Sequence, residues 1–556
     1  MRSKGSRSVA LHVPVSRTRR EFLHYGGAVV GASILAASWP RGAAAQTTTF
    51  DYFISPTGSN SNPGTLASPW ALTAINSKQS TYAGKKVGII GDQGTYECLT
   101  IYGGGSYPAG IFPDAMYSIQ GGTSASSPTV IASCNSSGVY VARLAVLDGQ
   151  ATSSNNAAGV SIIGSMRGSA SQYITMDGLY IKNAYYHAVT FGAQDTISPT
   201  MRAPGIVVQN CAINGVTNSQ VQENPTCITL YSCTGALIQN NLLSNSTDQT
   251  GQNRAGGFEQ WSSYGSIIQF NSIIGTASTA IGIVCKNAGN QNNTIRYNFV
   301  DLSALGTAGS DSNQGGIMVD SDGVAGSTDY VYNNIVISST PLGPNDMNVG
   351  SYPDWLSGFN CYNNTFVGVP GGQNLFCAHY SAPGTYKNYN NVYYCTAAAS
   401  IRGIFNAMNG STAGTGNLAL SDYNCYYNLA TIGAGISAYA GPGASYPSAP
   451  TLVHTTAALG AQMPAACIGK EAHSNISNPA FVLGNPSGAT GTTPAQYQLT
   501  SGSPCKGKGS TNGQTSGTAT DMGAWGNGAT QIGCNFTPGA STPPSPVPDA
   551  PTLSVS

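Results

Sequence analysis

The 556 residues include only 8% charged side chains, with Lys+Arg and Asp+Glu balanced at 22 each, where an average globular domain has about a quarter. A balanced, sparsely charged chain has no basic stripe to displace counterions, which excludes a nucleic-acid partner. No run of about 18 apolar residues occurs beyond the leader, so no membrane span is expected, and the low charge points to a surface solvated by amides and hydroxyls.

The chain opens on a targeting signal. Thr18-Arg19-Arg20-Glu21-Phe22-Leu23 fits the twin-arginine pattern, residues 28–39 form a weakly apolar run, and Ala43-Ala44-Ala45 offers a cleavage site before Gln46. Residues 1–45 are therefore predicted to be a twin-arginine signal peptide and are excluded from fold reasoning. The implied destination is periplasmic or secreted. Residues 46–535 are expected to form one domain.

That domain starts with Tyr52-Phe53-Ile54-Ser55-Pro56-Thr57-Gly58, continuing through Asn62-Pro63-Gly64-Thr65 to Ser68-Pro69-Trp70. A short helix is predicted over 71–82, followed by Gly91-Asp92-Gln93-Gly94-Thr95-Tyr96. From there an internal repeat dominates. Short β-rich segments recur, each centred on Asn or, once, Asp: Ile174-Thr175-Met176-Asp177, Val207-Val208-Gln209-Asn210, Ile238-Gln239-Asn240-Asn241, Ile268-Gln269-Phe270-Asn271, Ile295-Arg296-Tyr297-Asn298, Val331-Tyr332-Asn333-Asn334, Cys361-Tyr362-Asn363-Asn364 and Tyr389-Asn390-Asn391. The anchors at 177, 210, 241, 271, 298, 334, 364 and 391 lie 33, 31, 30, 27, 36, 30 and 27 residues apart. A loose period near 30 suits stacked coils with a constant core and variable loops. The strand-forming residues are Val, Ile, Tyr and Thr. One coil cannot bury its apolar face alone, so coils stack and pair their backbones with those above and below. Asn suits the bend because it tolerates the left-handed conformation and its amide can bond along the stack as a ladder. The predicted class is all-β, a right-handed parallel β-helix with a short N-terminal capping helix.

Toward the end come Asn478-Pro479-Ala480-Phe481, Tyr497-Gln498-Leu499, Ser503-Pro504 and Asp521-Met522-Gly523-Ala524-Trp525-Gly526. Of the 13 cysteines, Cys505 and Cys534 bracket this last segment and are the expected disulfide; the others read as small apolar residues stacked inside the coils. Residues 536–556, rich in Pro, Ser and Thr, read as a disordered tail. Taken together, the opening, the Gly91–Tyr96 element and the closing segments resemble secreted right-handed parallel β-helix proteins of the pectate-lyase-like superfamily. The resemblance runs over residues 50–530. It implies the solenoid fold, with chemistry ranging over lyases, hydrolases, epimerases, phage depolymerases and adhesins.

With so few charges, each cluster of them is informative. The strand Ile228-Thr229-Leu230-Tyr231-Ser232 aligns with Phe258-Glu259-Gln260-Trp261-Ser262, with Ile281-Gly282-Ile283-Val284-Cys285-Lys286, and with Ile317-Met318-Val319-Asp320-Ser321-Asp322. Alternate residues of a strand share a face. If Ile228/Leu230, Ile281/Ile283 and Ile317/Val319 point inward, then Tyr231, Glu259, Trp261, Lys286, Asp320 and Asp322 point outward, on coils about 4.8 Å apart. Two reactions fit. In β-elimination, Lys286 is the base, and Glu259, Asp320, Asp322 and Asp311 hold the substrate or a calcium ion, the candidate cofactor, with Asp320, Asp322 and Asp311 as its ligands. In glycoside hydrolysis, Glu259 and Asp320 are the paired carboxylates, about 9–10 Å apart and so suited to inversion. Trp261 and Tyr231 form an aromatic platform for sugar rings. Arg254 is a candidate fork for a carboxylate, and His187 a candidate substrate-binding residue or acid–base group. Asp354-Trp355 extends the groove. The expected partner is a polysaccharide. The alternative reading is a non-catalytic glycan-binding or structural surface protein, with the charged face only an ion-pair ladder.

Overall fold

The computed structural model describes residues 49–98, 115–151, 161–193, 202–218, 224–248, 255–286, 289–304, 315–319, 327–338, 347–351, 358–368, 374–379, 386–395, 403–408, 418–428, 455–463, 467–484, 493–510, 520–526 and 528–536. All belong to one compact unit, residues 44–556. The segment predicted as a signal peptide and the Pro-rich tail beyond Phe536 lie outside the described residues, as do Arg254, Asp311, Asp320, Asp322, Asp354 and Trp355. No helix among the described residues is long and apolar enough to cross a membrane.

Three long sheets carry the fold, with 12, 11 and 10 strands among the described residues. The first runs from Tyr52–Ile54 to Leu418–Asp422, the second from Tyr96–Glu97 to Cys425–Asn428, and the third from Tyr117–Ser118 to Gly403–Met408. A single coil shows the logic: Leu237–Gln239 enters the first sheet, Leu242–Asp248 the second and Ala255–Trp261 the third, and Ile267–Gln269 returns to the first beside its starting point. The pairing is parallel throughout these sheets, and each strand's neighbour is its counterpart one coil on. This is a right-handed parallel β-helix, the hand in which nearly all parallel crossovers wind. Its core consists of columns of like residues, such as Met176, Val208, Ile238, Ile268, Ile295, Val331 and Cys361, all fully buried. Each such Val or Ile contributes roughly 1.5–3 kcal/mol by burial.

The amide ladder is present and continuous. Asn241, Asn271, Asn298, Asn334, Asn364 and Asn391 each donate from the backbone N–H to the side-chain oxygen of the next Asn, ending on Asn424, at 2.9–3.1 Å. From Asn241 to Asn364 the side-chain amide also bonds that same oxygen, at 3.0 Å. Asn alone suits this column: it both donates and accepts at one reach, while a stack of Asp would pile up buried charge. The left-handed residue is the one before the ladder: Asn240, Phe270, Tyr297, Asn333, Asn363, Asn390 and Tyr423 all have φ between 52° and 57°. Two anchors therefore belong to other columns. Asn210 is left-handed at φ 56° and bonds Asn240, and Cys211 takes the ladder position above Asn241. Asp177 pairs with Gln209 and begins a separate rung of Gln209, Gln239 and Gln269.

At the start of the chain, Trp70 stacks on Tyr52 at 4.5 Å. Gly64, at φ 81°, leaves the space the indole fills; a Cβ there would lie 2.4 Å from the ring. The segment predicted as one helix holds two four-residue helices, Ala74–Ser77 and Gln79–Tyr82, separated by Lys78 at φ −115°. At the far end, residues 467–484 lie along the last coil through Leu420↔Ile468 and Cys425↔Asn475. The chain then returns backwards along the column of left-handed turns. Asn390 donates to the Ser510 carbonyl, Asn363 to Asp521, and Asn333 to Ala524 and Gly526, while Gly533 reaches Tyr297 and Asn535 reaches Asn240.

The expected Cys505–Cys534 disulfide is absent. Both are free thiols, as are all twelve cysteines whose side chains are described, eleven of them buried. Cys505 packs in the core with Cys425, whereas Cys534 donates its sulfhydryl to the Phe536 carbonyl. Inside the stack cysteine acts as a small apolar residue, and burial pushes Cys211, Cys227 and Cys233 up to about 12.

Candidate functional site

The candidate site lies on the outer side of the third sheet, over the successive strands His187–Gly192, Thr226–Tyr231, Ala255–Trp261, Thr279–Lys286 and Gly315–Val319. Ile228, Leu230, Phe258, Ile283, Ile317 and Val319 face the core. By alternation, Thr229, Tyr231, Glu259, Trp261 and Lys286 face the other way. The register stacks Thr190, Thr229, Glu259, Val284 and Met318 in one column and Gly192, Tyr231, Trp261 and Lys286 in the next. Phe258 thus pairs with Ile283, two residues beyond the Ile281 of the sequence alignment. Ile281 also does not point inward as expected. Gly282 faces the interior, where a Cβ would lie 2.5 Å from Val300, at the level where Cys227 and Ala188 face the core two and three coils upstream. Ile281 instead clusters with Val284 and Met318, apart from the main core.

Four predicted site residues come together. Lys286 Nζ lies 2.8 Å from Glu259 Oε1 and 4.2 Å from the centre of the Trp261 ring. The Trp261 and Tyr231 rings sit 6.0 Å apart, tilted by 36°. Asn224, which the sequence reading did not single out, donates to the same Oε1 at 3.1 Å. Glu259 is 1% exposed and Lys286 8%, so this is a buried ion pair and not a surface ladder. Desolvating two charges costs several kcal/mol per ion; the direct pairing, the amide and the ring face offset that cost. Both Lys286 contacts are made by the protonated amine, so the geometry presents it as a cation and donor.

His187 opens its strand two coils upstream, directly after Tyr186, which turns the corner at φ 73°. The imidazole is 3% exposed. Its Nδ1 meets the Thr226 hydroxyl at 2.9 Å and the Thr229 hydroxyl at 3.1 Å, and accepts the Thr226 backbone N–H at 3.4 Å. Burial pushes its pKa down to about 4, against the opposing pull of the Glu259 charge. The ring is therefore neutral at pH 7. Three buried polar atoms on this face have no hydrogen-bond partner among the described residues: His187 Nε2, Thr190 Oγ1 and Trp261 Nε1. The threonines were missed by the sequence reading, although the Thr226/Thr229 spacing beside a histidine strand was visible.

The described residues do not form a calcium shell. No group of three His, Cys, Asp or Glu is placed to hold a metal among them, and Glu259, the carboxylate on this face, is already engaged by Lys286 and Asn224. Calcium prefers six to eight oxygens.

No family model matches the chain, and no curated protein matches it. Among solved structures it is similar to pectate lyase Pel9A, at 13% identity over 85% of this chain and 95% of that one, with a TM-score of 0.43. It is also similar to XylC in complex with xylose, at 10% identity over 71% and 86% with a TM-score of 0.37, and to the A-module of the Azotobacter vinelandii mannuronan C-5 epimerase AlgE6, at 12% identity over 68% and 94% with a TM-score of 0.30. The solenoid assignment itself rests on the strand pairing described above.

Proposed function

We propose that this chain is an exported carbohydrate-active protein that takes a polysaccharide along the outer side of its third sheet and acts on it at Glu259 and Lys286, by β-elimination or glycoside hydrolysis. The observation that carries the reading is a buried Glu259–Lys286 pair on the side of the sheet turned away from the core, beside the Tyr231 and Trp261 rings. A rung needed only for stacking is satisfied by apolar residues, as Val284 and Met318 show on the next two coils of the Glu259 column. Buried charge is retained where chemistry uses it.

In β-elimination, a cation stabilises the carboxylate-conjugated anion that forms when the neighbouring proton is removed. The ion pair suits Lys286 to that role and Glu259 to the proton transfer, a division different from Lys286 as base. In hydrolysis, Glu259 serves as one carboxylate, and Asp320, in the next segment of chain, is the candidate second. Calcium enters only as an addition to the assay, with Asp320, Asp322 and Asp311 as its candidate ligands. A second reading, binding without turnover, is favoured by the same pair, since each charge is already neutralised by the other.

One panel separates these outcomes. Uronate and neutral polysaccharides are incubated with and without calcium, and unsaturated products are followed by ultraviolet absorbance while reducing ends are counted. Glu259→Gln and Lys286→Met are expected to lower turnover by about 10²-fold or more. Binding with no product of either kind assigns the non-catalytic reading. Wild-type turnover in both variants removes this face from the chemistry.

A further inference from the structure

We infer that His187 is a ligand-contacting residue locked as its Nε2–H tautomer, presenting a fixed hydrogen-bond donor to an acceptor oxygen of the bound saccharide. The inference rests on the glycan reading of this face and adds to it the form in which the imidazole works.

The tautomer follows from the partners of Nδ1. A backbone N–H can only donate, and the Thr226 N–H, shared with the Tyr186 carbonyl at 3.2 Å, also reaches Nδ1 at 3.4 Å; toward that donor the nitrogen presents its lone pair. The Thr226 and Thr229 hydroxyls, themselves in contact, can turn to suit and supply further donors to the same atom. With Nδ1 held as acceptor, a neutral ring carries its proton on Nε2. That Nε2–H lies on the opposite side of the ring, buried, and meets no partner among the described residues. It is not alone. Trp261 Nε1, a group that can only donate, two coils on, and Thr190 Oγ1, on the same strand, are in the same condition. Buried donors without partners are rare in folded proteins. Two obligate donors and a hydroxyl on one side of a sheet, beside two aromatic rings, form the complement of a group rich in acceptor oxygens, and a saccharide offers ring, glycosidic and hydroxyl oxygens. His187 in this form does not shuttle protons near neutrality. It positions the chain that Glu259 and Lys286 act upon.

Two arms test this. In protein labelled with 15N-histidine, long-range proton–nitrogen correlation at pH 7 reports each ring's tautomer, and the signals lost in His187→Gln identify its own. The expected pattern is a bare Nδ1 and a protonated Nε2; a proton on Nδ1, or a cationic ring, overturns the inference while leaving the glycan reading intact. The second arm titrates hexasaccharides of polygalacturonate, alginate and xylan into folded wild type, His187→Phe, His187→Asn and His187→Gln. Phe and Asn are expected to weaken binding of the accepted sugar by about tenfold, and Gln, whose amide N–H reaches the Nε2 position, to recover it to within about threefold. Equal affinity in all four proteins, or equal loss in Gln and Phe, overturns the donor role. If wild type binds none of the three sugars, the glycan reading fails and this role falls with it.

Discussion

Two buried glutamates, one in the middle of the stack and one at its far end, make an instructive pair. Glu259, on the outer side of the third sheet, is held by the Lys286 ammonium, which also lies over the Trp261 ring, and by the Asn224 amide. Glu471, in the closing segment, is held by the Ser421 and Ser474 hydroxyls and by the Asn424 amide at 3.3 Å, with no ion pair among the described residues. Burial raises the Glu471 pKa above its ordinary value, with those hydrogen bonds pulling the other way. Glu471 is where the interior polar columns stop: Asn388 bonds Ser421, which bonds Glu471, and Asn424, the last rung of the ladder, ends on the same carboxyl. One glutamate is paired with a lysine; the other is the terminus of a column of amides and hydroxyls. Burial alone does not distinguish them. Their partners do.

The largest effect expected from this contrast is at Lys286. Lys286→Met strands the Glu259 charge in a buried site and should cost about 3–5 kcal/mol in chemical denaturation. Adding Glu259→Gln to it should return most of that loss, and a double variant no more stable than the single would show that the pair is not the unit described. Next is the ladder. Asn298→Ala removes a side chain that accepts from Asn271 and donates to Asn334, with an expected loss of about 3 kcal/mol by the same measurement. Smaller, and opposite in their pH dependence, are the two shifted groups. Because the folded Glu471 pKa is raised, its contribution to stability is present below the ordinary 4.5 and is lost as pH rises through the folded value; Glu471→Gln should therefore gain on wild type in melting temperature from pH 4 upward. Because the folded His187 pKa is depressed, its contribution is present above 6.5 and is lost as pH falls toward about 4. His187→Gln should flatten the acid side of the melting curve. A wild-type slope unchanged in either variant would mean that the group does not titrate as placed. The smallest effect is at the cysteines: with Cys505 and Cys534 free, reductant should leave the melting temperature unchanged to within about a degree, and a clear drop would restore the disulfide.

Some of this was legible in the residues because it repeats. The loose thirty-residue period, the strand composition and the Asn anchors carry the solenoid, since each coil must solve the same burial problem with the same kinds of residue. What the period left ambiguous was which Asn does what. Doublets such as Asn333-Asn334 and Asn363-Asn364 contain both the left-handed residue and the ladder residue, whereas the lone Asn210 occupies the first column and the lone Asn271 the second. Only the hydrogen bonds tell them apart. The outer face divides in the same way. Strand alternation alone puts Glu259 beside Trp261, and the coil spacing brings Lys286 within reach. The outward turn of Ile281 appears only in the packing, and the threonines that set the His187 ring lie 39 and 42 positions from it along the chain.

The sequence by itself therefore determined the coil, because a face that must be buried at every repeat writes itself into the composition at every repeat. Tertiary structure decided the electrostatic state of each polar group. Whether a glutamate is an ion or a cap, whether a histidine accepts or donates, and whether two cysteines meet depends on the distance and dielectric between strands that only the stacking sets.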